Sequence, residues 1–273
     1  MSKKKAQRPD PASLGLPLGG ADSHAHLDMG PLVEDLDSVL TRARTAGVAR
    51  IGQVFLGPGA YENGRSFFDG RDEVFFLMGI HPHDAESMAE TDLDRMALSF
   101  RSDFRLRALG EIGLDFHYDY SPRPAQKKRF RDQLALAREL DMPVVIHSRE
   151  AEDETLAILM DMGFPGRPLL WHCFGQGPDL ARTILGHGWD ISIPGPVTYQ
   201  KNELLASAVA VIPPGRLHLE TDCPYLAPEP YQGKTNEPAL AAFTALAVAN
   251  IQKRPPAEVW ISCGANTTRF FGL

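Results

Sequence analysis

The sequence predicts a (β/α)₈ barrel, and three observations lead there. From Gly20 onward, short apolar and β-branched runs alternate with longer segments of helical spacing, the pattern of βαβ units and a parallel sheet. The runs number eight, and about 250 residues is the usual size of one barrel. Isolated His, Asp and Glu residues follow the runs in place of ordinary turn residues, and barrel enzymes build their sites at the C-terminal ends of their strands. A doubly wound open sheet is the second choice.

Residues 1–19 are rich in Lys, Pro and Gly, and Pro9, Pro11 and Pro17 interrupt any helix, so this segment reads as a flexible tail before one domain over 20–273. The eight runs read as strands are Ala21–Ser23, Ile51–Phe55, Val74–Met78, Leu106–Leu109, Val144–Ile146, Leu169–Trp171, Asp190–Ile193 and Leu217–Leu219. Between them the clearest helix spans Ala125–Leu140, where Phe130, Leu134, Leu136, Ala137 and Leu140 recur largely at three- and four-residue steps and Pro143 blocks continuation. Another follows Glu237, with Pro238 in its first turn and Leu240, Phe243, Leu246, Ala247 and Ile251 as its apolar stripe.

Composition narrows the class. In 273 residues, 43% are hydrophobic and 23% charged, which is enough apolar side chain for a large core and excludes disorder as the main state. The longest apolar stretch, Ala239–Ile251, is broken by Thr244 and Asn250, so no membrane span is expected. The basic start, Met1–Lys5, leads into Gln7, Arg8, Pro9 and Asp10 without an apolar signal region, and Lys3–Lys5 read as a solvated tail rather than a nucleic-acid grip. Cys173, Cys223 and Cys263 are odd in number and lack a CxxC pair, which fits reduced thiols and a cytoplasmic compartment.

The residues after the runs are of metal-ligand type. Asp22-Ser23-His24-Ala25-His26 follows the first; on extended chain, residues two apart share a side, so His24 and His26 can converge on one ion. The third run leads to His81-Pro82-His83, the fourth to Gly110-Glu111 and Asp115, the fifth to His147 and Arg149, the sixth to His172, and the eighth to Glu220-Thr221-Asp222. In a barrel these surround one cavity. Imidazoles with carboxylates suit zinc, iron, manganese or cobalt, and a carboxylate such as Glu111 can bridge two ions. Such a pair serves hydrolysis, because two cations about 3.5–4 Å apart activate a water and neutralise charge on attacking and leaving oxygens. His117, His187 and His218 lack this context and read as structural. Cys173 and Cys223 adjoin candidate ligands but read as non-catalytic, since neighbours on a strand point to opposite sides.

The stretches DSHAHLD (22–28), GIHPHDA (79–85), GEIGLDFHYD (110–119), PVVIHSREA (143–151), WHCF (171–174), LETDCPYLAP (219–228) and GKTNEP (233–238) together resemble the TatD family of metal-dependent deoxyribonucleases, within the amidohydrolase-like barrels. The resemblance covers residues 20–273. It departs at Gly175-Gln176, where the family usually has Ser or Thr and then Gly, and at Thr235, where a basic residue is common.

The resemblance implies a distorted barrel with one or two divalent ions. By motif, His24, His26, Glu111 and Asp222 would hold the first, and Glu111, His147 and His172 the second. Asp222 would also orient the attacking water or take its proton, His83 and His81 would face the scissile phosphate, and Arg149 would clamp it, because a guanidinium fork matches phosphate oxygens. The implied activity is cleavage of DNA phosphodiesters from a 3′ end. A net charge of -7 opposes wide gripping of a polyanion, so contacts are expected to be weak and local, from Arg149, Lys234 and Lys201. Zinc or manganese is expected as the bound metal, with magnesium, the ion usually ascribed to the family, supporting turnover. The alternative is an ester hydrolase such as a D-aminoacyl-tRNA deacylase on the same ligands; a non-enzymatic scaffold would have lost them. No obligate partner is readable, and a monomer is the default.

Overall fold

The computed structural model describes residues 8–273. Its core is one eight-stranded sheet in sequential order, with every neighbouring pair parallel: β1 (Gly20–Ala25), β2 (Val48–Leu56), β3 (Val74–Gly79), β4 (Leu106–Asp115), β5 (Val144–Arg149), β6 (Leu169–Trp171), β7 (Asp190–Ile193) and β8 (Leu217–Leu219). The chain beyond β8 returns to β1 through a parallel bridge between Ala25 and Cys223, with Asp222 N–H donating to His24 O at 2.9 Å and His26 N–H to Cys223 O at 2.8 Å. The predicted (β/α)₈ barrel is therefore the observed fold.

Around it run α1 (Gly30–Glu34), α2 (Leu36–Thr45), α3 (Pro58–Gly64), α4 (Asp92–Ser102), α5 (Arg123–Glu139), α6 (Glu152–Asp161), α7 (Pro178–Gly186), α8 (Glu203–Val209), α9 (Ala241–Gln252) and α10 (Pro256–Phe271). α5 begins two residues earlier than the periodicity predicts because Pro124, which needs no amide partner in a first turn, is accommodated there. Its buried face carries Phe130, Leu134, Leu136 and Ala137, as the spacing requires. After Glu237 the chain takes a 3₁₀ turn, Pro238–Leu240, before α9 starts.

The last three strands have the predicted bounds, whereas β1 to β5 all run further, β3 by one residue and β4 the most. Apolarity stops at Leu109 and Ile146, yet the ladder continues with Ile112 opposite Ile146, Gly113 opposite His147 and Asp115 opposite Arg149. Backbone pairing needs amides, not apolar side chains, so polar residues lining the mouth can stay in strand. Gly113 permits the close pairing: a Cβ there would sit 1.9 Å from the His147 carbonyl oxygen, and its φ of +147° disfavours other residues.

The N-terminal segment differs from a flexible tail over the part described. Asp10 caps a 3₁₀ turn at Pro11–Leu14, Arg8 Nε donates to Pro230 O at 2.7 Å, and the fully buried Trp260 on α10 donates its indole N–H to Pro17 O at 2.9 Å. The short proline-rich segment supplies carbonyls that a buried donor needs, a tertiary role that composition does not show. Lys3–Lys5 lie outside the described residues. No described helix is long and apolar enough to cross a membrane.

Candidate metal centre

Glu111 on β4 is the hub. Its Oε1 lies 3.8 Å from His24 Nε2 and 3.5 Å from His26 Nε2, and Asp222 Oδ1 lies at the same two distances from the same nitrogens. Its Oε2 turns to the other side, 2.8 Å from His172 Nε2 and 3.4 Å from His147 Nδ1. Ligand atoms about 2.0–2.1 Å from a tetrahedral ion stand roughly 3.3–3.4 Å apart, so both groups have the spacing of a metal's ligands. Candidate ligand groups are His24–His26–Glu111, His24–His172–Asp222 and His81–Glu111–His147, with His172–Cys173–Glu220 beside them. The structure thus brings together every ligand candidate read from the sequence. It also brings in His81, whose Nε2 is 4.0 Å from Glu111 Oε2.

Whether these residues fit an ion can be tested on their unmet valences. Both ring nitrogens of the wholly buried His24, and Nδ1 of His26 and of His172, have no hydrogen-bond partner. Buried polar atoms left unpaired are costly; of these, His24 Nε2 faces both carboxylates, 3.8 Å from Glu111 Oε1 and from Asp222 Oδ1, where a cation would satisfy it. Burial pushes Glu111 up, but the imidazoles of His172, His81 and His147 outweigh it and hold the carboxyl well below its ordinary range. Burial drives His24 and His81 below the usual imidazole value, which keeps them neutral and suited to ligation. The donor set fits a divalent ion.

Asp222 is placed by strained backbone. Its φ of +54° is left-handed, at a cost of about 1–2 kcal/mol for an ordinary residue, and its N–H to His24 O and C=O to Tyr225 N–H hold it there. Beneath it Asp22 accepts from Thr221 N–H at 2.9 Å, Thr221 Oγ1 at 2.5 Å and His24 N–H at 3.3 Å, tying β1 to the segment that carries Asp222. Burial raises the Asp22 carboxyl to about 8 in spite of those bonds.

Three residues quoted in the motifs without a role prove structural to the site. Asp115 Oδ2 lies 3.2 Å from His147 Nε2 and 3.0 Å from His83 Nε2. A carboxylate on Nε2 directs the Nδ1 lone pair of His147 inward, toward Glu111. Glu220 accepts from Cys173 N–H and Ser192 Oγ, both at 2.5 Å, and stands 3.7 Å from His172 Nδ1. Asp22 is the third. Their signal was position, adjoining candidate ligands within the same short stretches.

His83 is half-buried, Arg149 is exposed at the end of β5, and Lys234 and Lys201 are exposed in the loops after β8 and β7. The structure places Arg149 near the centre; the two lysines have no ion pair among the described residues. His218 is structural, as expected, with Asp190 3.0 Å from Nε2 and Thr267 3.1 Å from Nδ1. Burial and the carboxylates of Asp222, Glu220 and Glu111 push the Cys173 thiol well up, so it stays protonated and a poor nucleophile. A cavity of about 500 Å³ lined by Arg167, Asp190, Arg216 and Arg269 lies at the opposite, N-terminal end of the strands and shares no residue with this centre.

A parallel eight-stranded barrel with imidazoles and carboxylates gathered at its C-terminal mouth defines a metal-dependent hydrolase. Its family follows from sequence and structure comparison: the chain belongs to the TatD family, whose model, TatD related DNase, matches residues 21–272. It is 34% identical over 252 residues to the uncharacterized metal-dependent hydrolase YabD of Bacillus subtilis, covering 92% of this chain and 98% of the relative. It is also 34% identical, over 248 residues, to the 3′-5′ ssDNA/RNA exonuclease TatD of Cronobacter sakazakii, covering 87% and 92%. The crystal structure of YjjV, a TatD homolog from Escherichia coli, superposes with a TM-score of 0.88 at 27% identity, covering 93% and 98% of the two chains.

Proposed function

We propose that this hydrolase cleaves phosphodiester bonds of single-stranded DNA, and of RNA in the same manner, from the 3′ end. The observation that carries the reading is Arg149. It stands two residues past His147 at the mouth, and among the described residues its guanidinium has no carboxylate partner. An unpaired guanidinium beside a metal-ligand cluster matches a phosphate, which accepts both arms of the fork. The relative named as a 3′-5′ ssDNA/RNA exonuclease supports the substrate class.

Bound divalent ions would supply an activated water and neutralise charge at phosphorus. The chain's own residues do the rest. His24, His26, Glu111 and Asp222 would hold one ion, and Glu111, His147 and His172 the other, with Asp222 the group to accept the water's proton. Asp115 holds the Nε2 edge of His83, which leaves the Nδ1 edge to face the substrate phosphate. Lys234 and Lys201 would add loose contacts to the strand. With a net charge of -7, binding away from the centre is weak, and nanomolar affinity for long DNA in chelator would contradict this. One barrel buries its own core, so a monomer suffices for the activity.

Histidine-rich ligation favours zinc or manganese over magnesium as the resident ion, with magnesium supporting turnover at a weaker position. Elemental analysis after gentle purification tests this; absence of any transition metal argues against it. The activity is tested by digesting 5′-labelled single-stranded DNA with metal-reconstituted protein beside a Glu111→Ala control. A ladder shortening from the 3′ end, absent in the control, is the expected result. Intact DNA with folded, metal-loaded protein would overturn the nuclease reading and direct the search to aminoacyl esters.

A further inference from the structure

Next to the centre lies an aromatic pair that neither the core nor the chemistry above uses. Tyr118 and Tyr120 sit in the turn after β4, their rings stacked with centroids 5.2 Å apart and planes 6° from parallel. They are 47% and 67% exposed. Of the six tyrosines, the other four place their hydroxyls on Asp103, Ala227, Met29 and Pro9, whereas these two have no hydroxyl partner among the described residues. A ring two-thirds in water contributes little to stability, so the pair has no structural reason to be held in place.

Held it is. Asp115 Oδ1 accepts from the N–H groups of His117 and Tyr118 at 3.0 Å, and Gln126 Nε2 donates to the carbonyls of Asp115 and Ser121 at 2.9 Å. Ser121 Oγ donates to His83 O at 2.7 Å and accepts from Glu86 N–H at 3.0 Å. The rings also adjoin the groups assigned to the phosphate. Arg149 Cζ lies 4.8 Å from the Tyr118 centroid, and the His83 ring meets Tyr120 edge-on at 4.8 Å. One carboxylate, Asp115, therefore fixes the tyrosine turn, His83 and the candidate ligand His147 together.

We propose that Tyr118 and Tyr120 are a stacking platform for a nucleobase of the single strand, that of the nucleotide adjoining the scissile phosphate. Tyr120, the more exposed ring, receives the base; Tyr118, stacked on it and touching Arg149, ties that position to the phosphate clamp. Every base has a π face, so the platform gives sequence-tolerant grip on one nucleotide without a long basic groove, and a pinned turn loses little freedom on binding. The inference rests on the phosphodiesterase reading and deepens it to a base-bearing single strand rather than a small ester.

The test compares wild type, Tyr120→Ala, Tyr118→Ala and Tyr120→Phe, all metal-loaded and checked for an unchanged melting midpoint. Substrates are a normal oligonucleotide and one abasic at the nucleotide next to the cleaved bond. Loss of one stacked base corresponds to about 5- to 150-fold. Tyr120→Ala should lower kcat/KM on the normal strand by a factor in that range, mainly through KM, and Tyr120→Phe should restore it. The abasic strand should be slow already in wild type and lose nothing further in the alanine variants. Equal loss on both strands, or none on either, overturns the platform. A second arm measures equilibrium binding of the same pair of oligonucleotides with phosphorothioate ends that resist cleavage. If wild type leaves DNA intact, the nuclease reading fails alone when normal strands still bind tighter than abasic ones and Tyr120→Ala removes the difference; without that difference the platform fails too.

Discussion

Oε2 of Glu111 lies 2.8 Å from Nε2 of His172, while Oε1 of the same carboxylate faces away toward the β1 histidines. One side chain thus serves two ligand groups, because β4 continues past Leu109 and carries Glu111 into the middle of the mouth.

Glu111→Gln keeps the volume and removes the charge shared by both groups. Turnover should fall by more than the roughly 10- to 100-fold that an outer partner costs, and metal content per chain should fall with it. Rates beside elemental analysis check this; full metal content with normal turnover would show that Glu111 does not bridge.

Asp115→Asn should weaken metal affinity or activity by about 10- to 100-fold, since Asp115 holds His147 Nε2 from behind at 3.2 Å, and Glu220→Gln should weaken it less, since Glu220 stands 3.7 Å from His172 Nδ1. Competition with a graded series of chelators reads the affinity. Unchanged affinity in both variants would reduce these carboxylates to packing.

Removing residues 1–17 deletes the carbonyl that receives the buried Trp260 indole N–H. An unpaired buried donor costs about 1–3 kcal/mol. For a domain of this size each kcal/mol moves the melting midpoint by about 2–4 °C. Calorimetry of the truncated chain should show a drop of several degrees; an identical midpoint would mean that the segment merely lies on the surface.

Acid should unfold the protein partly through Asp190. Burial pushes its carboxyl up, but His218 and Arg216 outweigh burial and hold it below the usual range. A group depressed in the fold contributes its stability fully above the unfolded value near pH 3.9 and loses it as pH falls through the folded value. Asp190→Asn should therefore be less stable than wild type at neutral pH, with the gap closing below about pH 4. Urea midpoints across that range decide the matter, and a pH-independent gap would remove the ion pair as its source.

The sequence by itself determined the barrel and the candidate ligands. Alternating periodicities encode strand and helix locally, and His24, His26, Glu111, His147, His172 and Asp222 each follow or end an apolar run, where a barrel gathers residues distant in sequence. Tertiary structure alone decided which carboxylate supports which histidine, how far the first five strands extend, where the N-terminal segment docks, and that Tyr118 stacks on Tyr120 beside Arg149. The reason is physical: strand pairing and hydrogen-bond partnership are relations between side chains and backbone that meet only in space. Asp115, Glu220 and Pro17 carry no periodicity that would mark their partners, so their roles emerge only once the barrel brings those partners within 4 Å.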